Sequence, residues 1–265
     1  MSTEFSWDEK DFEPMLAETA NDDAVNLTLK YLPDKEAKIL EAGSGNGRVV
    51  KYLYDLGYKN TYGIELNRDG VEFINKKFPE LKIIRGDILK MPYEKNYFDL
   101  VAAYGLVEHF IPGLNEPLKA LYDVLKPGGI AIITVPSLNI WRRIRQPLKT
   151  LYYSDFFRQN ILRKQPLPKR NKKDYIYCVH PVRGDFFEYR LKPSEFKTAC
   201  QEAGFKIIAS LPICHIDGLY HDGMGLFAKY ENCRFIVSPT GKIINRILQF
   251  IPFFHNHMHA CVLQK

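Results

Sequence analysis

A chain of 265 residues is long enough for one large domain or for a core domain with elaborations, and its 46% apolar content supplies a substantial core. No run of about 18 uncharged apolar residues occurs, so no membrane-spanning helix is expected. The net charge of +6 hides an asymmetry: residues 1–140 hold 16 Lys/Arg against 22 Asp/Glu, residues 141–190 hold 13 against 4, and residues 191–265 hold 8 against 5.

Residues 1–36 read as a helical N-terminal extension. Asn21-Asp22-Asp23 is a helix start that places Ala24, Leu27 and Tyr31 on one face. Phe5, Trp7 and Phe12 precede it in an acidic stretch, either as a lid over a ligand or as a docking surface on the core. The apolar run Ile39-Leu40-Glu41-Ala42 then enters Gly43-Ser44-Gly45-Asn46-Gly47, and a helix is expected over Val49–Leu56, stopped by Gly57. Glycine lets the chain turn sharply and lets its backbone approach a ligand, and a helix start adds free N–H groups for an anion. Further apolar runs follow at Tyr62-Gly63-Ile64, at 81–88 and at 97–105, with helices expected over Arg68–Phe78 and Pro117–Leu125. Leu125-Lys126-Pro127-Gly128-Gly129 reads as a helix stop and turn before a strand at 130–136. A helix over Pro193–Ala203, ending at Gly204, precedes strands at Lys206–Leu211 and Met258–Leu263. This alternation predicts a parallel sheet with helices on both faces.

The glycines do not fit the dinucleotide fingerprint G-x-G-x-x-G, because Arg48 stands at the third glycine position. The pattern E-x-G-x-G-x-G, Glu65 at the end of the second strand, Asp87 after the third, the 97–105 strand and the Pro-Gly-Gly turn occur in order over about residues 37–136. This ordered set resembles the class I S-adenosylmethionine-dependent methyltransferases, of the small-molecule, type 11-like kind. The resemblance implies an α/β fold: a Rossmann-like, doubly wound, seven-stranded sheet with six parallel strands and the last antiparallel. Its implied cofactor is S-adenosyl-L-methionine, with contacts from Glu41, Gly43, Ser44, Gly45, Gly47, Glu65, Leu66, Asp87, Ile88 and Tyr104. Glu65 would take the ribose diol and Asp87 the exocyclic amine of adenine. Asp99 precedes its strand and is expected to be structural.

The resulting organisation is an extension at 1–36, a cofactor-binding core at 37–136, a basic aromatic insertion at 137–190, and completion of the sheet at 191–265 with a second insertion at about 212–257. The first insertion interleaves Trp141-Arg142-Arg143-Ile144-Arg145 and 169–173 with Tyr152, Tyr153, Phe156 and Phe157. That mixture suits an anionic membrane surface, an acidic lipid or sugar substrate, or RNA, or is a solvated basic loop. In the second, positions 243, 244, 247, 248 and 251 make an apolar helical stripe that would lie in a bilayer interface, wall a pocket or pack on the core.

The catalytic candidate is His109, which follows the fourth strand, imidazole being the side chain whose ordinary pKa lies near neutrality. His180, His215, Asp217 and His221 are acceptor-site candidates. His255, His257 and His259 alternate, but with no Cys or carboxylate framework no metal site is expected. Five cysteines without a C-x-x-C pair suit reduced thiols, and the start at Met1-Ser2-Thr3-Glu4 has no secretory pattern, so a cytoplasmic or membrane-associated enzyme is expected. The expected reaction is methyl transfer to a hydroxyl or similar nucleophile of a small, sugar-linked (glycan) or lipid-linked acceptor at a membrane surface. The alternatives are an RNA methyltransferase using the basic insertion, nucleic acid being the lesser partner, and a non-catalytic cofactor-binding module.

Overall fold

The computed structural model describes residues 9–152, 154–161, 163, 175–180, 184–222 and 227–265. Phe5, Trp7 and the basic stretch at 169–173 lie outside them.

Five strands alternate with helices through the first half: β1 (Ile39–Ala42), β2 (Thr61–Glu65), β3 (Lys82–Arg85), β4 (Phe98–Tyr104) and β5 (Leu125–Pro136). Helices α3 (Arg48–Asp55), α4 (Arg68–Lys77) and α5 (Asn115–Val124) intervene. With β8 (Lys206–Ile213) and β11 (Met258–Gln264) they form a seven-stranded sheet of order β3-β2-β1-β4-β5-β11-β8. Pairs β1–β2, β2–β3, β1–β4 and β4–β5 are parallel, and β11 runs antiparallel to both its neighbours. The short apolar runs of β1 and β4 are sealed on both faces, as a central parallel strand requires. Strand order reverses at β1, so the crevice lies at the carboxyl ends of β1 and β4.

The Pro-Gly-Gly turn expected ahead of the fifth strand lies inside it. Leu125 pairs with Phe98 and Ile130 with Leu100, so residues 126–129 bulge out of the ladder. Gly128 makes that excursion with φ +79°, and Gly128 N–H and Gly129 C=O bond Lys265 of the C-terminus.

The N-terminal helices α1 (Phe12–Glu18) and α2 (Asp23–Leu29) form part of one covering layer. Asp22 caps α2 by accepting from Ala24 and Val25 N–H, as its sequence signal predicts. Ala24 and Leu27 pack on Ile132, Ala260 and Val262 of β5 and β11. Phe12 is fully buried among Val50, Val71, Ile74 and Ile83, so for this residue docking on the core is the arrangement found, not a lid. The opposite face is covered by α5 and α8 (Pro193–Glu202) through Leu118, Leu121, Phe196 and Cys200.

The first insertion carries α6 (Ile140–Tyr152), α7 (Asp155–Asn160) and the antiparallel hairpin β6 (Tyr175–His180) with β7 (Gly184–Tyr189). Its two ends are held together at Ser137 and Leu191. The second begins after β8, which runs two residues further than expected, and comprises α9 (His215–His221), the hairpin β9 (Ala228–Glu231) with β10 (Arg234–Val237), and α10 (Pro239–Gln249). Among the described residues no helix is long and apolar enough to cross a membrane.

Candidate active site at the carboxyl edge of the sheet

The glycine spacing of the first loop follows from its backbone. Gly43, Gly45 and Gly47 all have positive φ, at +72°, +55° and +78°, a region costly for residues with a Cβ. At Gly43 a Cβ would also lie 2.8 Å from the Leu106 side chain, and at Gly47 2.7 Å from Ile83. The loop is laced to β2: Gly43 and Ser44 N–H both donate to Ile64 C=O, at 2.9 and 3.1 Å. Glu65 completes the lacing, accepting from Gly45 N–H at 2.8 Å and from Asn67 N–H at 2.9 Å. Its carboxylate is thereby oriented at the mouth of the crevice with lone pairs to spare.

Beneath the loop, Glu41 Oε2 and Ser44 Oγ are buried without a hydrogen-bond partner. Burial pushes the Glu41 carboxyl up to about 8, against the opposing pull of the Arg48 guanidinium. Asp87 caps a short 3-10 turn by accepting from Leu89 N–H at 2.9 Å, and the Ile88 side chain drops into the core beside it. Leu66 C=O accepts from Arg85 Nε at 3.3 Å. The Tyr104 phenol is spent on Thr28 Oγ1 of α2, 2.5 Å away. Asp99 lies at the far end of β4, where Lys126 donates to it at 2.5 Å and Lys38 N–H at 2.9 Å, the structural role expected.

His109 ends a buried 3-10 turn after β4, with Nε2 3.9 Å from Glu108 Oε1. Glu108 is 1% exposed, its Oε2 is unpartnered, and burial holds its carboxyl well above the ordinary range.

The N-terminal extension joins these parts to the second half of the edge, a link the sequence reading missed. Asp22 pairs with Arg48 at 2.6 Å, and the adjacent Asp23 accepts from Cys214 N–H at 2.7 Å, at the start of α9. Two consecutive residues thus span from the end of the glycine loop to the start of α9. The helix-start signal marks both aspartates but says nothing of their distant partners.

Of the acceptor-site candidates, three lie on α9. The ring of His215 is 5.0 Å from His255, and that of His221 is 4.6 Å from His257. Burial, with the Asp23 and Asp22 charges adding, pushes Asp217 up to about 7. His180 falls on β6, but its side chain is outside the described residues. The alternating histidines do not share one face: His255 engages Asn245 of α10 at 2.7 Å, His257 engages Arg142 at 2.7 Å, and only His259 enters β11, where it meets Ser210 at 2.8 Å. Among the described residues no cluster of His, Cys, Asp or Glu is placed to hold a metal ion.

Two arginines of the basic insertion turn inward. Arg142 is buried, donates from Nε to Asp222 at 2.7 Å and from Nη1 to Ser137 C=O at 2.6 Å, and Asn139 donates to the other Asp222 oxygen at 3.0 Å. Arg145 donates to Asp222 C=O. Spacing alone marked both as available to an anion; the distant Asp222 carboxylate takes Arg142, whereas Arg145 meets only the Asp222 carbonyl oxygen.

Residues 40–133 match a family model described as a methyltransferase domain. A demethylmenaquinone methyltransferase of Chlorobaculum tepidum is 30% identical over 170 residues, covering 63% of this chain and 68% of that protein. A sterol 4-C-methyltransferase of Caenorhabditis elegans is 32% identical over 126 residues, covering 44% of this chain and 37% of that one. Among solved structures, a methyltransferase from Methanosarcina mazei superposes with TM-score 0.58 at 15% identity over 90% of this chain and 96% of its own. The chain belongs to the class I S-adenosylmethionine-dependent methyltransferases, and S-adenosylmethionine is its cofactor.

Proposed function

We propose that the enzyme methylates a nucleophilic atom, such as a hydroxyl, on a small, electrically neutral, lipid-linked acceptor. The observation that carries this reading is that, among the described residues, the buried Arg142 is internally paired and the imidazoles around it are held neutral. Arg142 is paired with the Asp222 carboxylate, whereas Arg145 donates only to the Asp222 carbonyl oxygen and keeps its charge. Burial and the Arg142 charge hold the His257 imidazole well below its ordinary range, and burial takes His255 down to about 4. A wall of imidazoles held below their ordinary range packs around the pair with Trp141 and Phe254, whose rings lie 6.0 Å apart. Such a wall favours an apolar body over a phosphate backbone, which needs unpaired cations. The relatives' names, a demethylated menaquinone and a sterol, are consistent with an apolar acceptor.

The donor fits the first half of the edge. The loop of three positive-φ glycines gives a backbone cradle, Glu65 suits the ribose diol and Asp87 the adenine amine. The two orphaned buried atoms, Glu41 Oε2 and Ser44 Oγ, suit the ammonium of the aminoacyl tail. A sulfonium supplies an already activated methyl group, so the chain's own work is positioning. His109, which follows β4 at this edge, would take a proton from a hydroxyl acceptor.

A labelled-methyl screen against lipid, glycan and RNA extracts tests the acceptor. Label in the lipid fraction is expected, and label confined to RNA overturns the reading. Replacing Asp87 with Ala should weaken binding of the demethylated cofactor about 10- to 100-fold by calorimetry, the equivalent of one lost charged hydrogen bond at about 1.5–3 kcal/mol. An unchanged affinity removes Asp87 from the site.

Glu41 gives a pH signature. With its carboxyl near 8 in the free enzyme, it is protonated at neutrality. Binding of a cation favours the ionised form and lowers that value. A proton is therefore released on binding near pH 7, and affinity rises with pH until about 8, then levels. Calorimetry in buffers of different ionisation enthalpy reads this release, and Glu41→Gln should abolish it.

A further inference from the structure

Of the apolar stripe of α10, Ile243, Ile247 and Ile251 are exposed, while Ile244 and Leu248 are half-buried. Ile243, Ile247, Phe250 and Ile251 are 60%, 59%, 86% and 48% exposed. Their spacing, i, i+4, i+7 and i+8, makes one continuous outward face. The helix is held in this orientation from its other side. His255 meets Asn245 at 2.7 Å, and Ser238 caps the helix by accepting from Gly241 N–H at 3.1 Å. Gly241 itself is buried against Phe227, where a Cβ would lie 2.5 Å from that carbonyl oxygen. Turning the apolar face inward would break each of these contacts.

Exposed Lys242 and Arg246 form a parallel basic stripe one residue ahead of Ile243 and Ile247. The chain leaving α10 is hydrogen-bonded to the start of α6, Ile140 N–H to Phe253 C=O and Trp141 N–H to Phe254 C=O, both at 2.9 Å. Helix α6 adds exposed Arg143 and Ile144. Residues 137–154 and 232–265 contain no Asp or Glu at all.

We propose that α10, with the first turns of α6, is an in-plane docking surface for an anionic lipid bilayer. Apolar side chains would enter the acyl boundary, and Lys242, Arg246 and Arg143 would engage acidic headgroups. The proposal rests on the lipid-linked acceptor reading for its purpose, because the 250–257 segment connects this surface to the neutral wall of the acceptor side. A second copy of the chain is disfavoured as the occupant. A symmetric contact through this face would set its basic stripes against each other with no acid in either segment.

The test is flotation of the whole protein with vesicles of phosphatidylcholine alone or with 30% phosphatidylserine, roughly a PS-rich cytoplasmic leaflet in charge, at physiological salt. At least tenfold more protein should float with the acidic vesicles. Ile247→Glu/Phe250→Glu should reduce this to the background level while its binding of the demethylated cofactor stays unchanged. No preference of the wild type for acidic vesicles overturns the proposal, as does equal flotation of the double variant. So does a wild-type dimer in sedimentation that the double variant dissolves. Methyl transfer to a detergent-dispersed lipid extract is measured in parallel. Lipid labelling without flotation removes the docking surface alone, whereas flotation without lipid labelling leaves docking and removes the acceptor reading.

Discussion

Gly218→Ala is expected to abolish methyl transfer while binding of the demethylated cofactor survives, and to lower the melting temperature by about 6–12 °C. A Cβ at Gly218 would lie 1.6 Å from His255 C=O and 2.8 Å from the carbonyl carbon, so α9 meets the 255–257 segment backbone against backbone. Neither side can yield locally. Cys214 C=O accepts from both Gly218 N–H and His257 N–H at 3.0 Å, and His255 is held by Asn245. Overpacking ordinarily costs about 1–3 kcal/mol; with rigid backbone as the obstacle the upper end, about 3 kcal/mol, applies, at about 2–4 °C per kcal/mol for a chain of this size. The glycine loop lies on other strands, so cofactor affinity is the internal control. A melting point within about 2 °C of wild type would show that α9 does not pack on that segment.

The second large effect is expected from the Arg142–Asp222 pair. Both side chains are almost wholly buried, 3% and 2% exposed, and burial works against the Arg142 charge. Removing one partner strands the other in low dielectric, so Arg142→Met or Asp222→Leu alone should cost about 3–5 kcal/mol in denaturant unfolding. The double variant leaves no stranded charge and should be more stable than either single one. Simple addition of the two losses would mean that the pair is not a unit. The pair ties α6 of the first insertion to α9 of the second. The single variants should therefore also disturb the acceptor side, seen as a loss of transfer greater than the loss of cofactor affinity.

The geometry of the proposed cofactor half was legible because its signals are local. Three glycines mark three positive φ values within one loop, and the acids at 65 and 87 each follow a short apolar strand. The acceptor half was not. His215, Asp217 and His221 were read from α9 alone, and their partners His255 and His257 stand about 40 residues further on. Arg142 carries the same local signal as exposed Arg143, and only Asp222, 80 residues away from Arg142, separates them. The apolar stripe of α10 has the period of any core-facing helix; periodicity identifies the face without saying what lies opposite it.

Residue order alone therefore determined the alternating strands and helices and the glycine loop, while the antiparallel last strand came with the family resemblance. Backbone conformation and the period of apolar residues are set by near neighbours in the chain. Tertiary structure decided which charges remain free, which histidines are neutral, where Phe12 and the N-terminal helices go, and which side of α10 is left bare. Those outcomes depend on burial and on partners brought together from distant segments, and desolvation is a property of the packed neighbourhood that no local pattern encodes.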